Sequence, residues 1–452
     1  MREIILHDTL SGKLQPLAPR DPGRVGVYAC GPTVYSRIHI GNARPFIVFS
    51  LLKRFLEHEG YAVNLVINVT DVNDKIYDAA RAQGRASEEL AEEMTALYEA
   101  DTDALELGRP DHEPLASETI EQIVAYIQAL IDRGHAYAID GDVYFRVRSD
   151  ERYGSLSHRQ LENMDQGEGA SSTTHPERKE DALDFALWKA HKQGEDTSWP
   201  APWGHGRPGW HIECSAMAEE RLGVGFDVHG GGSDLVFPHH ENEAAQTRAA
   251  RGSELAKLWM HNGMIQFTGE KMAKSVGNVA LLHEVIERYG PQAVVMYIAS
   301  GHYRQPLAFS EAALEQAQAN VNRIREAGRR LWPGPSDESL EPLRDRFFDA
   351  LARDFNTAEA LAVLNEWIRD SARSPQQLPG DSHLREMLTV LGLDSLLAEQ
   401  EQAPPEIVLL AEAREQARHA RDFAAADRLR DEIAGHGWEV RDAARGFELL
   451  PL

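Results

Sequence analysis

Arg24-Val25-Gly26-Val27-Tyr28-Ala29-Cys30, halted by Gly31-Pro32, decides the reading of the fold. β-Branched and aromatic residues running into two strong turn formers describe a buried strand that empties into a loop. From about Gly41 the period lengthens. Phe46, Phe49, Leu52 and Phe55 recur every third residue until Gly60, as on one face of a helix. Ala62-Val63-Asn64-Leu65-Val66-Ile67-Asn68-Val69 then restores a strand, ending at Thr70-Asp71. Strand, helix and strand in such close succession predict a βαβ unit with a parallel pair. The right-handed crossover places a ligand crevice at the carboxyl ends of its strands, where Cys30 and Asp71 fall.

Outward from this unit, residues 88–135 read as helical and acidic. Residues 140–200 read as irregular, polar and loop-rich, an insertion between two halves of one catalytic domain, because strand-like and glycine-rich signals resume over 203–237. Helix formers dominate 311–331 and 340–373. Gln402-Ala403-Pro404-Pro405 sets off a last segment.

The chain of 452 residues has room for two to four domains at roughly 100–200 residues each. Its 42% hydrophobic and 26% charged residues exclude a disordered chain or a coiled coil. Lys+Arg 47 against Asp+Glu 72 leaves a net charge of -25, a poor field for nucleic acid, so any RNA contact must use local basic patches. Two distant cysteines argue against a disulfide scaffold and for a reducing compartment. Met1-Arg2-Glu3-Ile4-Ile5-Leu6-His7-Asp8 lacks the form of a signal peptide, and no apolar run is long enough to span a membrane. A cytoplasmic protein is expected.

Three groups of residues carry candidate chemistry. In His239-His240-Glu241-Asn242-Glu243, His239 and Glu243 stand four apart on one helical face. With the Cys30 and Cys214 thiolates they would complete a tetrahedral site suited to zinc. The same residues also read as two small buried thiols and a solvated helix start. His39-Ile40-Gly41-Asn42 offers donors and a close backbone approach at a helix N-terminus, where a phosphate is favoured. Gly269-Glu270-Lys271-Met272-Ala273-Lys274-Ser275-Val276-Gly277-Asn278 holds two lysines three apart, suited to a polyphosphate or simply to solvent.

Taken in order, these blocks resemble the cysteinyl-tRNA synthetases. Cys30-Gly31-Pro32-Thr33-Val34-Tyr35 precedes His39-Ile40-Gly41-Asn42, followed by Thr70-Asp71-Val72-Asn73-Asp74-Lys75 and Gly209-Trp210-His211-Ile212-Glu213-Cys214-Ser215-Ala216-Met217. Gly230-Gly231-Gly232-Ser233-Asp234-Leu235, Phe237-Pro238-His239-His240-Glu241-Asn242-Glu243 and Lys271-Met272-Ala273-Lys274-Ser275 complete the set. Two positions depart from the family pattern. HIGH reads HIGN, with an amide at Asn42 in place of an imidazole, and KMSKS reads KMAKS, losing one hydroxyl at Ala273.

The resemblance implies an α/β class I synthetase fold. Its Rossmann-type catalytic domain would occupy 1–117 and 198–251, split by a connective insertion at 118–197. A stem-contact region at 252–318, an α-helical bundle at 319–400 and a small tRNA-reading domain at 401–452 would follow. The implied activity is ATP-dependent activation of L-cysteine and its transfer to tRNA(Cys) by a monomer. It would use one zinc on Cys30, Cys214, His239 and Glu243, and magnesium with ATP. His39, Asn42, Lys271 and Lys274 would be catalytic; Gly41, Asp234, Lys274 and Ser275 would bind the nucleotide, although Asp234 also suits a plain turn cap. Trp210 and His229 would wall the cysteine pocket, or Trp210 would be plain core. Thr70 and Asp71 would contact the amino acid's ammonium or hold the signature loop. Arg414, Arg418 and Arg421 share one helical face, and with Trp438 they would meet tRNA or form a salt-bridged surface. The competing readings are a ligase that passes cysteine to a small aminosugar and a non-catalytic zinc- or RNA-binding relative.

Overall fold

The structure is a computed structural model describing residues 2–161, 164, 176–267, 280–373, 380–397, 404–442 and 446–451. It divides into two compact units, Met1–Leu396 and Leu397–Leu452.

The first unit begins with an antiparallel hairpin, β1 (Ile5–Asp8) and β2 (Lys13–Pro16). The βαβ unit follows as β3 (Arg24–Ala29), α1 (Ile40–His58) and β4 (Ala62–Ile67), with β3 and β4 parallel and Arg24 opposite Ala62. The predicted helical stripe is the buried face of α1: Phe46, Phe49, Leu52 and Phe55 are all in the core. Next come α2 (Asp74–Gln83), α3 (Ser87–Asp103) and α4 (Ile120–Asp132). Between α3 and α4 the chain is not continuously helical; His112 and Leu115 make parallel bridges to Val66 and Val69 along the edge of β4.

The expectation of an irregular insertion is corrected here. β5 (Ala136–Ile139), β6 (Asp142–Phe145), β7 (Phe185–Ala190) and β8 (Gly206–Pro208) form an antiparallel four-stranded sheet in that order. The strands are short, and β6 is buried along its whole length, so the alternation that marks a half-buried strand is missing. The reading of 203–237 as strand-like is also corrected, since α5 (Trp210–Leu222) lies within it. Ile212 through Ala218 are all buried, which erases the amphipathic stripe by which a helix is recognised.

β9 (Phe226–Gly232), α6 (Glu241–Arg251) and β10 (Ala256–Asn262) complete the central sheet, which is parallel throughout with strand order β10-β9-β3-β4. Strand order reverses between β9 and β3, and such a switch point opens the crevice in which doubly wound folds bind ligands. β11 (Ile265–Phe267), α7 (Leu282–Tyr289), α8 (Pro291–Ala299) and β12 (Leu307–Phe309) follow, with β11 and β12 paired in parallel. The helices α9 (Glu311–Gly328), α10 (Glu341–Ala352), α11 (Thr357–Ser371) and α12 (Ser382–Val390) end this unit. The second unit pairs α13 (Pro405–His419) and α14 (Phe423–Gly435) with an antiparallel hairpin of β13 (Trp438–Asp442) and β14 (Phe447–Pro451).

Two contacts fix α1 against the sheet. Arg44, 1% exposed, donates to the backbone carbonyls of Gly263, Tyr303 and Gln305 at 2.6, 3.1 and 2.8 Å. Burial lowers its guanidinium to about 10. Gly230 on β9 lies under the Phe49 ring, where a Cβ would fall 1.9 Å from the ring carbon. A methyl there has to displace a buried aromatic ring of the helix that carries His39 and Asn42. Gly230→Ala is therefore expected to destabilise the fold by about 1–3 kcal/mol, the usual effect of overpacking, read as a lower unfolding midpoint by circular dichroism.

Candidate active site

Four donors converge at the switch point. Cys30 follows the end of β3, and its N–H donates to the Gly230 carbonyl on β9 at 3.0 Å. Cys214 stands early in α5, Glu243 in the first turn of α6, and His239 in the tight turn that leads into α6. The Cys30 sulfur lies 3.7 Å from that of Cys214, 3.6 Å from His239 Nε2 and 3.8 Å from Glu243 Oε1. A tetrahedral zinc with bonds of about 2.3 Å to sulfur and 2.0–2.1 Å to nitrogen sets sulfurs about 3.8 Å apart, and sulfur and nitrogen about 3.6 Å apart. The donor atoms match that spacing, and all four residues are buried.

The electrostatics agree with the geometry. Burial works against charge on Glu243, yet His239 and His229 hold its carboxyl well below the usual range. Burial also opposes protonation of His239, but Glu243 and the Cys214 sulfur raise it to about 10. The hydrogen bond from Cys30, against the pull of burial, draws Cys214 down to about 6. A thiolate and a carboxylate thus surround a proton-bearing imidazolium, and a divalent cation is suited to displace that proton.

Further side chains brace the donors, as outer partners of metal ligands do. His229 Nε2 meets Glu243 Oε2 at 2.7 Å, and His211 Nδ1 meets His239 Nδ1 at 3.0 Å. Trp210 stacks on His239 with centroids 4.3 Å apart and planes 23° apart. Being half-buried, it can serve as a pocket wall. His229 has no exposed surface, stacks on Trp259 and turns its Nε2 to Glu243, so the structure places it behind that carboxylate. Cys30, His229, His240 and Glu243 form a second, overlapping group of possible ligands, but only the first group contains both thiols. Sequence reasoning missed His211, His240 and His261. The first two lie inside the quoted motifs; His261 lies on β10 with no signal of its own, and its Nε2 meets His240 Nδ1 at 2.7 Å.

At the start of α1, His39 and Asn42 cap each other. The Asn42 N–H donates to His39 Nδ1 at 3.3 Å, and the His39 N–H donates to Asn42 Oδ1 at 3.2 Å. Both acceptors are thereby used, leaving His39 Nε2–H and the Asn42 amide NH₂ as outward donors. Burial lowers the His39 imidazole, which favours its neutral form. At Gly41 a Cβ would come within 2.8 Å of the His39 ring, so glycine keeps the cap closed. Asp234 is exposed in the short turn after β9, its Oδ1 packed against Gly232.

Lys271, Lys274 and Ser275 lie outside the described residues. The chain that follows them is joined to the first signature: the Ile40 N–H donates to the Ala280 carbonyl and the Leu282 N–H to the Ile38 carbonyl, each at 3.0 Å. Thr70 is buried and bridges Thr33, while Asp71 accepts from the backbone N–H and the hydroxyl of Ser117. Asp71 thus holds a loop.

The proposed RNA face of the second unit needs correction. Trp438 is buried with Ile407, Ala411, Ile433 and Val440, since this small unit needs it as core, and Arg414 is buried as well. Arg418 is exposed near the end of α13; Arg421, expected on the same helical face, is exposed but lies past the end of that helix with a φ of 61°.

Residues 16–319 match the family model for the class I (C) tRNA synthetase catalytic domain. The cysteine–tRNA ligase of Caldicellulosiruptor saccharolyticus is 44% identical over 98% of this chain and 99% of its own length. That of Chromohalobacter salexigens is 44% identical over 98% of each. Among solved structures, methionyl-tRNA synthetase of Mycobacterium tuberculosis with methionyl-adenylate superposes with a TM-score of 0.59 at 16% identity, covering 83% of this chain and 89% of that one. An Agrobacterium radiobacter leucyl synthetase ternary complex gives 0.59 at 12% identity, covering 85% of each. These two likenesses establish the fold. No described helix is long and apolar enough to cross a membrane.

The donor geometry sets an expectation for metal content. Cys214→Ala should leave dialysed protein with less than a tenth of the wild-type zinc by atomic emission. His229→Phe, which removes the brace behind Glu243, should weaken zinc binding about 10–100-fold in a chelator competition.

Proposed function

The chain belongs to the cysteine–tRNA ligase family, and we propose that its switch-point crevice activates L-cysteine with ATP before transfer to the 3′ end of tRNA(Cys). The ligase activity rests on one observation above all, the 44% identity to cysteine–tRNA ligases over nearly the whole of both chains. A ligase with a small acceptor finds no such support.

Activation is an in-line displacement at the α-phosphorus of ATP by the cysteine carboxylate, with pyrophosphate leaving. Catalysis of such a step is mostly positioning and charge neutralisation. The mutual cap at α1 supports roles for His39 Nε2–H and the Asn42 amide as phosphate donors, aided by the positive end of the helix dipole. This reading also accounts for HIGN. Asparagine returns the cap with its carbonyl oxygen and keeps two N–H donors, so the change costs charge but no donor. Lys271 and Lys274 supply the positive charge that pyrophosphate needs as it departs, with magnesium carried by the nucleotide. Gly41 admits the phosphates, Asp234 reaches the ribose hydroxyls and Ser275 adds a donor.

Zinc fits Cys30, Cys214, His239 and Glu243, and when bound it supplies a bond to the substrate sulfur that serine's hydroxyl cannot match. Around it, Trp210 shapes the pocket and Thr70 receives the ammonium. The exposed Arg418 and Arg421 are the remaining candidates in the second unit for tRNA contact. The protein acts as a single chain in the cytoplasm.

Two assays test this reading. Cysteine-dependent ATP–pyrophosphate exchange and cysteinyl transfer to tRNA should both occur; exchange without transfer would overturn the tRNA role. Lys274→Ala should reduce exchange about 10²–10³-fold while cysteine binding persists, a loss typical of removing one group that stabilises transition-state charge. Metal-free protein should separate cysteine from serine no better than a shaped pocket does, about 10–200-fold. Preference retained beyond that range would remove the metal from discrimination.

A further inference from the structure

Just beyond β4, Asn68 has no exposed surface, and its side-chain amide joins three parts of the site. Its Oδ1 accepts the Gly31 N–H at 3.1 Å, its Nδ2 donates to Thr70 Oγ1 at 3.3 Å, and the Cys214 sulfur lies 3.7 Å from the same Oδ1. The orientation of the amide is not arbitrary. A backbone N–H can only donate, so Gly31 fixes the carbonyl end and thereby aims the NH₂ end at Thr70. The two segments are also pressed together, since a Cβ on Gly31 would fall 1.8 Å from the Asn68 carbonyl oxygen. Main-chain bonds from Thr70 N–H to the Pro32 carbonyl and from Val34 N–H to the Thr70 carbonyl, each at 3.1 Å, continue the same pairing.

We propose that Asn68 is a positioning residue for cysteine recognition, setting through Thr70 the hydroxyl geometry that receives the amino acid. This rests on the reading of Thr70 as the ammonium contact. A threonine hydroxyl has one donor and two acceptor positions. Asn68 occupies one acceptor position and restrains rotation about the Cα–Cβ bond, leaving the second lone pair directed at the ligand. Without that bond the hydroxyl can turn to a backbone carbonyl, and the ammonium loses a fixed partner. Asn68 itself touches none of the reacting atoms.

A double-mutant cycle in pyrophosphate exchange tests the inference, using full-length, zinc-loaded enzyme with metal content measured in each preparation. Thr70→Val and Asn68→Asp should each raise the KM for cysteine about 10–100-fold, the effect of one hydrogen bond to a charged group, with the KM for ATP unchanged. The double variant should be no worse than either single one. Multiplied effects would overturn the proposal, because Asn68 would then act independently of Thr70. An effect of Asn68→Asp with none from Thr70→Val would overturn both this inference and the ammonium contact. Zinc loss confined to Asn68→Asp would assign the residue to Cys214 instead. Should Asn68→Asp not yield folded protein, Asn68→Ser, which retains a small polar group beside Gly31, enters the same cycle.

Discussion

A carboxylate, an imidazole and two thiols, buried with their donor atoms within 4.8 Å of one another, are the constraint on which the rest of this structure depends. Burial of such groups is unfavourable unless charge is matched and hydrogen bonds are complete. The fold meets that condition by drawing its donors from the end of β3 and from α5, the turn before α6 and α6 itself, with Glu243 shared between His239 and His229 at 2.9 and 2.7 Å. Parallel pairing of β3 with both β4 and β9 brings these elements to one end of the sheet. Residues remote in sequence thus become neighbours because strand order reverses there.

The proposed nucleotide side is organised by a different device. His39 and Asn42 satisfy each other's backbone N–H groups, a local and inexpensive way to start a helix, and the same bonds decide which of their atoms face outward. Arg44, two residues later, anchors the helix in the body of the fold by binding carbonyls alone. Local capping and long-range anchoring are thereby concentrated within a few residues of the signature.

The sequence was most informative where a local pattern coincides with a tertiary role. The run of 25–30 describes a strand buried on both faces, and the three-residue spacing of Phe46, Phe49, Leu52 and Phe55 describes one face of a helix; the core uses both. The donors Cys30, Cys214, His239 and Glu243 were legible through ligand type and motif order, while the crossover rule located only Cys30 among them. Pattern reading failed where burial is complete. β6 and α5 are covered on all sides and carry no periodic contrast. Trp438 misled for a related reason, as an aromatic residue looks the same in sequence whether it stacks on a base or fills a small core. His261 meets His240, and the Asn68 amide meets Gly31 and Cys214, partners far away in the chain and visible only after folding.

The seam between 38–40 and 280–282 is made of main-chain atoms, two N–H to carbonyl hydrogen bonds that form the antiparallel bridge of His39 to Leu281. Apart from proline, no exchange of side chains can delete it, so a conventional alanine scan is blind to the tie between the helix start and the chain that follows the lysine segment. An ester in place of the amide at Ile40 or Leu282 removes the donor without the ring of proline, and would show how strongly the two segments depend on being moored together.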